Sequence, residues 1–195
     1  MQTELSGTVG PSHCVLIPFL GRFDQVARAA MALLAQAGPA TRLVLIDDGS
    51  QPPAAQAAPL ARILADSRVT LLRHESNLGV AQARNTGLAQ ARAHGAEIVI
   101  MLDSDCIPGP DFLAAHLALH AAHPEAACIG GAIVGRGQGL WAALDRVMSW
   151  CHSVPGQSLH AVHHPYHLPT TNMSLKLARL PLRAFDSRLR TGEDA

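Results

Sequence analysis

Short apolar runs alternate with helix-like segments through the first half of this 195-residue chain. Each run is as short as a strand that is buried on both faces of a sheet. The runs are residues 14–19, 42–47, 68–73 and 97–103. Between them, residues 23–38 and 79–95 place apolar side chains at helical intervals and end at glycine, and residues 54–67 have room for a further helix. Because strands that alternate with helices form parallel sheets, the sequence predicts an α/β fold: a Rossmann-like, mostly parallel sheet flanked by helices.

The second half of the chain is less regular. Residues 110–123 read as a helix that starts at a proline, and residues 127–135 read as a strand. Residues 139–152 have the spacing of an amphipathic helix, and residues 153–167 are rich in histidine, proline and glycine, which is typical of a loop. We therefore expect the later elements to pack beside the parallel sheet rather than to extend its regular alternation.

Charge and cysteine content narrow the functional classes. The 15 basic and 15 acidic residues balance, so the chain lacks the basic footprint of a nucleic-acid-binding protein. The four cysteines are widely spaced and form no C-x-x-C pair, which favours reduced thiols in the cytoplasm. The N-terminus does not resemble a signal peptide, and no apolar run is long enough to span a membrane. We expect a cytoplasmic protein, and peripheral attachment to the inner face of the membrane stays open.

Two carboxylates stand where the fourth apolar run ends. Asp103 and Asp105 are two residues apart, so in an extended segment both reach the same point beyond the strand. Two such charges repel each other unless a cation lies between them, and Mg²⁺ and Mn²⁺ prefer oxygen ligands. The alternative interpretation is a loop of solvated aspartates or a helix cap. Asp47 and Asp48 end the second run in the same way, and ligands bind at the carboxyl ends of parallel strands, so we expect all four carboxylates in one crevice.

Further short motifs accompany the D-x-D pair. They are VLIPFLGR, VLIDDGS, NLGVAQARNTGL, PTTNMSLK and FDSRLRTGEDA. In this order, over residues 15–194, they resemble the family 2 glycosyltransferases of the GT-A fold. The resemblance implies an inverting, divalent-metal-dependent enzyme that moves a sugar from a nucleotide-diphosphate-sugar, most often UDP-linked, to an acceptor hydroxyl. The implied acceptor is a glycan or a lipid-linked molecule, in polysaccharide, lipopolysaccharide or other cell-surface glycan synthesis.

The resemblance also assigns roles on the donor side of the site. It implies that Asp48 hydrogen-bonds the nucleotide base and that Pro18 and Phe19 line the base pocket. It implies that Arg84 reaches toward the nucleotide and that Asn77 shapes the turn before the helix that carries Arg84. Without the resemblance, the aspartate would read as a turn cap and the arginine as a solvated helix residue.

The remaining roles concern the metal and the acceptor. The resemblance implies that Asp103 contacts the ribose or a metal-bound water, and that Asp105 coordinates Mg²⁺ or Mn²⁺. Asn172 is expected on the acceptor and sugar side, and Asp194 is the expected catalytic base, with Glu193 second. The chemistry is consistent, because a cation neutralises the charge that grows on a departing diphosphate and a carboxylate can take the proton of an acceptor hydroxyl.

One domain accounts for the chain. Residues 1–12 read as a loose lead-in, and residues 13–195 as the GT-A domain. Its nucleotide-binding half is expected over residues 13–107 and its acceptor-side half over residues 108–195. The family normally continues with a helix after the GED motif, so the resemblance predicts that the C-terminal end is missing.

Other classes lack the motifs that they need. A dinucleotide-binding oxidoreductase needs G-x-G-x-x-G after the first strand, and a nucleotidyltransferase needs a Gly-rich loop with Arg and Lys there, whereas this chain has PFLGRFDQ. His116, His120 and His123 recur at helical spacing, but no carboxylate or cysteine joins them at ligand spacing, so we interpret them as a solvated helix face. A non-catalytic, GT-A-like nucleotide-binding domain remains the alternative.

Overall fold

The computed structural model describes residues 12–135, 137–140, 143–144 and 168–189. Within these residues, a sheet of six strands has the order β3-β2-β1-β4-β6-β5. The strands are β1 (His13–Phe19), β2 (Thr41–Asp47), β3 (Val69–Arg73), β4 (Ile98–Leu102), β5 (Cys128–Gly130) and β6 (Asn172–Lys176). The first four strands pair in parallel, and β6 runs antiparallel to β4 and β5. The predicted Rossmann-like, mostly parallel sheet is confirmed.

Helices cover both faces of this sheet. They are α1 (Phe23–Leu34), α2 (Ala61–Leu64), α3 (Val80–Ala93) and α4 (Phe112–Ala122). The helix expected within residues 54–67 is instead two short 3₁₀ turns followed by α2. The physical reason is Pro59, which has no N–H to donate to a continuous helix. The predicted helix over residues 139–152 lies largely outside the described residues, and the predicted loop over residues 153–167 lies wholly outside them.

The apolar core lies on both faces of the sheet. On β1, Val15 and Ile17 join the cluster that contains the buried face of α1, while Cys14 and Leu16 join the cluster that contains α3. All of these residues are fully buried, which is why the strands read as continuous apolar runs rather than as an alternating pattern. No helix among the described residues is long and apolar enough to cross a membrane.

Strand β6 is the element that sequence patterns did not predict. Its polar residues Asn172 and Ser174 face α4, while Met173 and Leu175 enter the core on the α3 side. The mixture of polar and apolar residues hides the strand in the sequence. Because Asn172 lies opposite Leu102 in the antiparallel pairing, β6 brings residues 171–172 beside the end of β4, where the D-x-D pair begins.

Candidate active site

The aspartate that ends β2 has a structural role. Asp47 is fully buried and accepts hydrogen bonds from the backbone N–H groups of Ser50 (2.8 Å) and Ala54 (3.0 Å) and from the Arg73 guanidinium. Burial alone would raise the pKa of Asp47, but these hydrogen bonds outweigh burial and lower it. The expectation that Asp47 joins an open crevice is therefore wrong, because its carboxylate closes the turn after β2 and is inaccessible to a ligand.

The second aspartate organises the loop before α3. The Asp48 carboxylate accepts hydrogen bonds from the backbone N–H groups of Leu78 (3.0 Å) and Gly79 (2.9 Å), and its Oδ1 lies 2.7 Å from Nδ1 of His74. These three donors use most of the about four lone-pair positions of a carboxylate. Asn77 Oδ1 accepts a further hydrogen bond from Gly79 N–H at 2.9 Å, so it shapes the turn before α3. The predicted contact of Asp48 with a base would use the acceptor capacity that remains.

Glycine is required where the β2 loop meets the loop before α3. A Cβ atom on Gly49 would lie 2.5 Å from the backbone carbonyl carbon of Ser76, and the φ angle of Gly49 is +86°. Both facts exclude a larger residue without movement of the backbone. The G of the DDGS motif therefore lets two loops at the carboxyl edge of the sheet approach closely.

Asp103 follows β4 directly and is held from two sides. Arg84 on α3 donates from Nη2 to Oδ1 over 3.2 Å, and Thr171 donates from Oγ1 to Oδ2 over 2.7 Å. The Arg84 side chain is only 6% exposed, whereas that of Asp103 is 34% exposed. The Arg84 guanidinium also lies over the ring of Phe185, 5.6 Å from its centroid. Arg84 is thus a buried, paired cation rather than a solvated helix residue.

Asp105 differs from Asp103 because its carboxylate is exposed. Within the described part of the chain, its hydrogen bond comes from the Cys106 thiol, with 3.7 Å between Sγ and Oδ1. Burial raises the pKa of Cys106 to about 12, with further contributions from Asp105 and Asp103, so this thiol stays protonated. The described residues contain no group of three or more metal-ligating side chains. Two carboxylates nevertheless suit Mg²⁺ or Mn²⁺, which take one or two carboxylates together with substrate phosphates.

The end of β1 packs into the core. Pro18 and Phe19 are both buried, and the Phe19 ring packs edge-to-face on Phe23 with 6.3 Å between centroids. The Phe19 carbonyl accepts a hydrogen bond from Asp48 N–H at 2.9 Å. Exposure begins at the next residue, Leu20, whose side chain is 50% exposed. The Phe19 ring therefore belongs to the core cluster, and its carbonyl is already paired.

Asn172 is fixed by its amide group. Its Nδ2 donates to the carbonyl of Ala132 (2.7 Å), and its Oδ1 lies 2.8 Å from Nε2 of His116. Nδ1 of the same imidazole lies 2.8 Å from Ser174 Oγ, which in turn lies 2.9 Å from Nε2 of His120. These contacts connect α4, β6 and the segment after β5 through one polar chain, which is buried at His116, Ser174 and His120.

The α4 histidines were predicted wrongly as a solvated face. His116 and His120 are each 4% exposed, and both belong to this polar chain, while His123 is half-buried. The prediction failed because α4 packs its histidine face on the polar face of β6, a strand that the sequence did not reveal. Burial lowers the pKa of His116, and burial followed by the charges of Lys176 and His116 lowers the pKa of His120 to about 4.

Asn85 is a positioning residue that motif reading did not single out. Its Nδ2 donates to the Phe185 carbonyl (2.7 Å), and its Oδ1 accepts from the N–H groups of Ala184 (3.1 Å) and Phe185 (3.2 Å). The sequence signal for this role was the asparagine next to Arg84 in the ARN segment.

The predicted base residues Asp194 and Glu193 lie outside the described residues.

Comparison with known proteins identifies the family. The profile of "Glycosyl transferase family 2" matches residues 14–175, which is most of the chain. The chain belongs to glycosyl transferase family 2. The succinoglycan biosynthesis protein ExoO of Rhizobium meliloti (strain 1021) is 37% identical to this chain over 91 residues, which are 46% of this chain and 24% of ExoO.

Solved structures share the GT-A fold of this family 2 chain. Residues 1–349 of S. aureus TarS superpose with a TM-score of 0.69 at 20% identity, over 94% of this chain and 52% of that one. The same TarS fragment in complex with UDP gives a TM-score of 0.68. The mannosyltransferase PcManGT from Pyrobaculum calidifontis, solved with GDP-Man and Mn²⁺, gives 0.65 at 21% identity, over 96% of this chain and 50% of that one. The chain therefore spans about half the length of each of these three structures.

Proposed function

We propose that this chain binds a nucleotide-diphosphate-sugar at the carboxyl edge of its sheet and transfers the sugar, with inversion, to an acceptor hydroxyl. The observation that carries the proposal is the D-x-D pair directly after β4, with one carboxylate held by Arg84 and Thr171 and the other exposed. The site lies at the edge where parallel α/β sheets bind ligands. It also lies inside the segment that matches the family profile.

The two aspartates suit different tasks. Asp105 is exposed, and its oxygens are available to hold Mg²⁺ or Mn²⁺. The bound cation would supply Lewis-acid assistance to the departing diphosphate. Asp103 keeps a fixed orientation and can accept hydrogen bonds from the ribose or from a metal-bound water. Arg84 neutralises part of its charge, which reduces the repulsion between the two carboxylates in the absence of a ligand.

The likeness to known proteins supports a class of sugar donor and a class of acceptor. A TarS structure contains UDP, and the PcManGT structure contains GDP-Man and Mn²⁺. We infer a UDP-linked donor first and a GDP-linked donor second. The likeness to a succinoglycan biosynthesis protein supports a cell-surface glycan or a lipid-linked precursor as the acceptor. Asp194, or Glu193 in its place, would take the proton of the acceptor hydroxyl.

The division of the chain follows from this assignment. We propose that residues 13–107 form the nucleotide-binding half and residues 108–195 the acceptor-side half of one GT-A domain. We further propose that the protein acts in the cytoplasm at the inner face of the membrane, where a lipid-linked acceptor would be within reach of the acceptor-side half.

The first experiment is a calorimetric titration of UDP, with and without Mn²⁺, into the wild type and Asp105→Asn. We expect Mn²⁺ to strengthen UDP binding in the wild type, and we expect about tenfold or more of that gain to disappear in the variant, because a metal ligand is lost. Glu97→Gln is the matched control, because it removes an exposed carboxylate just before the opposite end of the same strand.

The outcomes separate the parts of the proposal. UDP binding that is indifferent to both Mn²⁺ and Asp105→Asn would overturn the metal assignment. Absence of binding to both UDP and GDP by a folded chain would overturn the donor site itself. Nucleotide binding without sugar transfer by the full-length protein would favour the non-catalytic alternative.

A further inference from the structure

Thr171 lies where two distant parts of the chain meet. It immediately precedes β6, whose first residue, Asn172, is opposite Leu102, the last residue of β4. The next position outward in this antiparallel pairing brings Thr171 beside Asp103. Thr171 is 8% exposed, so its hydroxyl has little access to water and depends on a protein partner.

The hydroxyl finds that partner in the D-x-D motif. Thr171 Oγ1 donates to Oδ2 of Asp103 over 2.7 Å, which is a short hydrogen bond to an ionised acceptor. The other carboxylate oxygen receives Nη2 of Arg84 over 3.2 Å. One donor therefore acts on each oxygen, and the two donors come from different elements of the fold.

Two hydrogen-bond donors, one on each carboxylate oxygen, fix the terminal side-chain torsion of Asp103, which would otherwise rotate easily. The terminal torsion of an aspartate is broad and roughly two-fold, so an unrestrained carboxylate rotates easily. Donors on both oxygens of Asp103 select one orientation. Each oxygen has about two lone pairs, so one position per oxygen stays available for a ligand.

The choice of a hydroxyl also matters for charge. Arg84 already places one positive charge beside Asp103. A second cationic side chain in place of Thr171 would compete directly with a bound metal ion. Thr171 orients the carboxylate without adding charge. The arginine is itself supported by the Phe185 ring, which Asn85 holds through the backbone of residues 184–185.

We propose that Thr171 is a positioning residue for the donor site: its hydroxyl, together with Arg84, holds the Asp103 carboxylate in the orientation that receives the nucleotide. This inference rests on the proposed function, because it gives a purpose to the orientation of Asp103. It assigns to the second threonine of the PTTN segment a role that does not require contact with the substrate.

The test compares two substitutions that separate the hydroxyl from the shape of the side chain. Thr171→Val keeps the branched shape and removes the donor, whereas Thr171→Ser keeps the donor and removes a methyl group. With UDP and Mn²⁺ as probes in calorimetry, we expect about tenfold weaker binding in Thr171→Val and near-wild-type binding in Thr171→Ser. Thr70→Val is the matched control, because Thr70 is a half-buried strand residue on the outer strand β3.

A second measurement needs neither metal nor nucleotide. In a thermal-unfolding cycle, Thr171→Val should lower the melting temperature in the wild-type background and have a smaller effect in an Asp103→Ala background, where its acceptor is absent. Equal effects in both backgrounds would contradict the proposed contact.

The two proposals fail in different ways. If the wild type binds UDP with Mn²⁺ and Thr171→Val binds equally well, the positioning role is wrong and the proposed function stands. If Thr171→Ser is as weak as Thr171→Val, the side chain acts by packing rather than by its hydroxyl, and the inference is overturned. If the wild type binds neither UDP nor GDP, the proposed function fails, and the positioning role falls with it.

Discussion

The buried histidines of α4 form a hydrogen-bond chain whose direction follows from its partners. Nε2 of His116 faces the Asn172 carbonyl oxygen, so we assign the proton to Nε2, which leaves Nδ1 to accept from the Ser174 hydroxyl. The serine oxygen then accepts from Nε2 of His120. Nδ1 of His120 is buried and has no partner among the described residues. Both imidazoles are neutral in this arrangement, and a proton on His120 would place an unpaired charge in the interior.

From this hydrogen-bond chain we predict that the free energy of unfolding falls under mild acid. The pKa of His120 is lowered from 6.5 to about 4 by burial, then by repulsion from Lys176 and from His116 once His116 is protonated, so the unfolded state binds the proton first as the pH falls. The contribution of neutral His120 to the free energy of unfolding is fully present above pH 6.5. It is lost between pH 6.5 and about 4, at up to about 1.4 kcal/mol per pH unit. Urea unfolding across this range should show a shallower pH dependence in His120→Gln than in the wild type.

The control for this prediction is His94→Gln, which removes an exposed histidine at the end of α3. Its pH dependence should match that of the wild type, because the titration of carboxylates such as Asp47 is common to all three proteins. Equal slopes in His120→Gln and the wild type would mean that His120 is protonated as readily in the folded state as in the unfolded state.

At the scale of the element, one turn of α3 makes four different connections. Arg84 donates a hydrogen bond to Asp103, and Asn85 binds the backbone of residues 184–185. Oγ1 of Thr86 lies 3.0 Å from Nε2 of His74. Gly87 faces the sheet, where an added Cβ would lie 2.9 Å from a Leu16 methyl group. Consecutive helix residues point about 100° apart. The ARNTG segment therefore links the D-x-D pair, the last described loop, the Asp48 loop and the core.

Asn85→Ala should loosen the loop that contains Phe185. The substitution removes three hydrogen bonds to the backbone of residues 184–185 and leaves buried backbone groups without partners, so we expect a loss of about 1–3 kcal/mol of unfolding free energy. Hydrogen exchange at the amides of Ala184 and Phe185 should accelerate. Gln90→Ala, on the same helix but with a side-chain hydrogen bond in an exposed position, is the control. Unchanged exchange at both amides would contradict the role of Asn85.

The sequence was informative where local chemistry decides structure. Strands β1, β2 and β4 were predictable because both of their faces are buried, and the D-x-D pair was predictable because it directly follows an apolar run. Neither β6 nor the support of Asp103 by Thr171 could be predicted from local patterns. Both depend on an antiparallel pairing with β4 across about 70 residues of chain, and the polar residues of β6 find their partners on α4 and in the segment after β5.

At the scale of the whole molecule, β1 is the centre of the fold. It pairs with β2 and β4, and its side chains enter the core on both faces of the sheet. Leu16 is fully buried and meets both Gly87 and the α3 cluster. A defect in this strand should therefore destabilise the sheet and both helix layers together.

Leu16→Ala should cost about 2–5 kcal/mol of unfolding free energy, because it leaves a cavity between the central strand and α3. Leu182→Ala, at a position that is 80% exposed, should change it by no more than about 0.5 kcal/mol. Urea unfolding monitored by circular dichroism compares the two. A loss below about 1 kcal/mol for Leu16→Ala would mean that α3 closes the space by moving toward the sheet.

The position of β6 also bears on solubility. Without residues 172–176, the apolar strand Ile98–Leu102 would lose its partner on one side and expose a row of backbone donors and acceptors. Exposed apolar edge strands recruit other chains, and natural proteins protect them by pairing or by charge. The antiparallel strand that brings Thr171 to the D-x-D pair thus also protects the sheet against aggregation, and a chain cut between β4 and β6 would lose that protection.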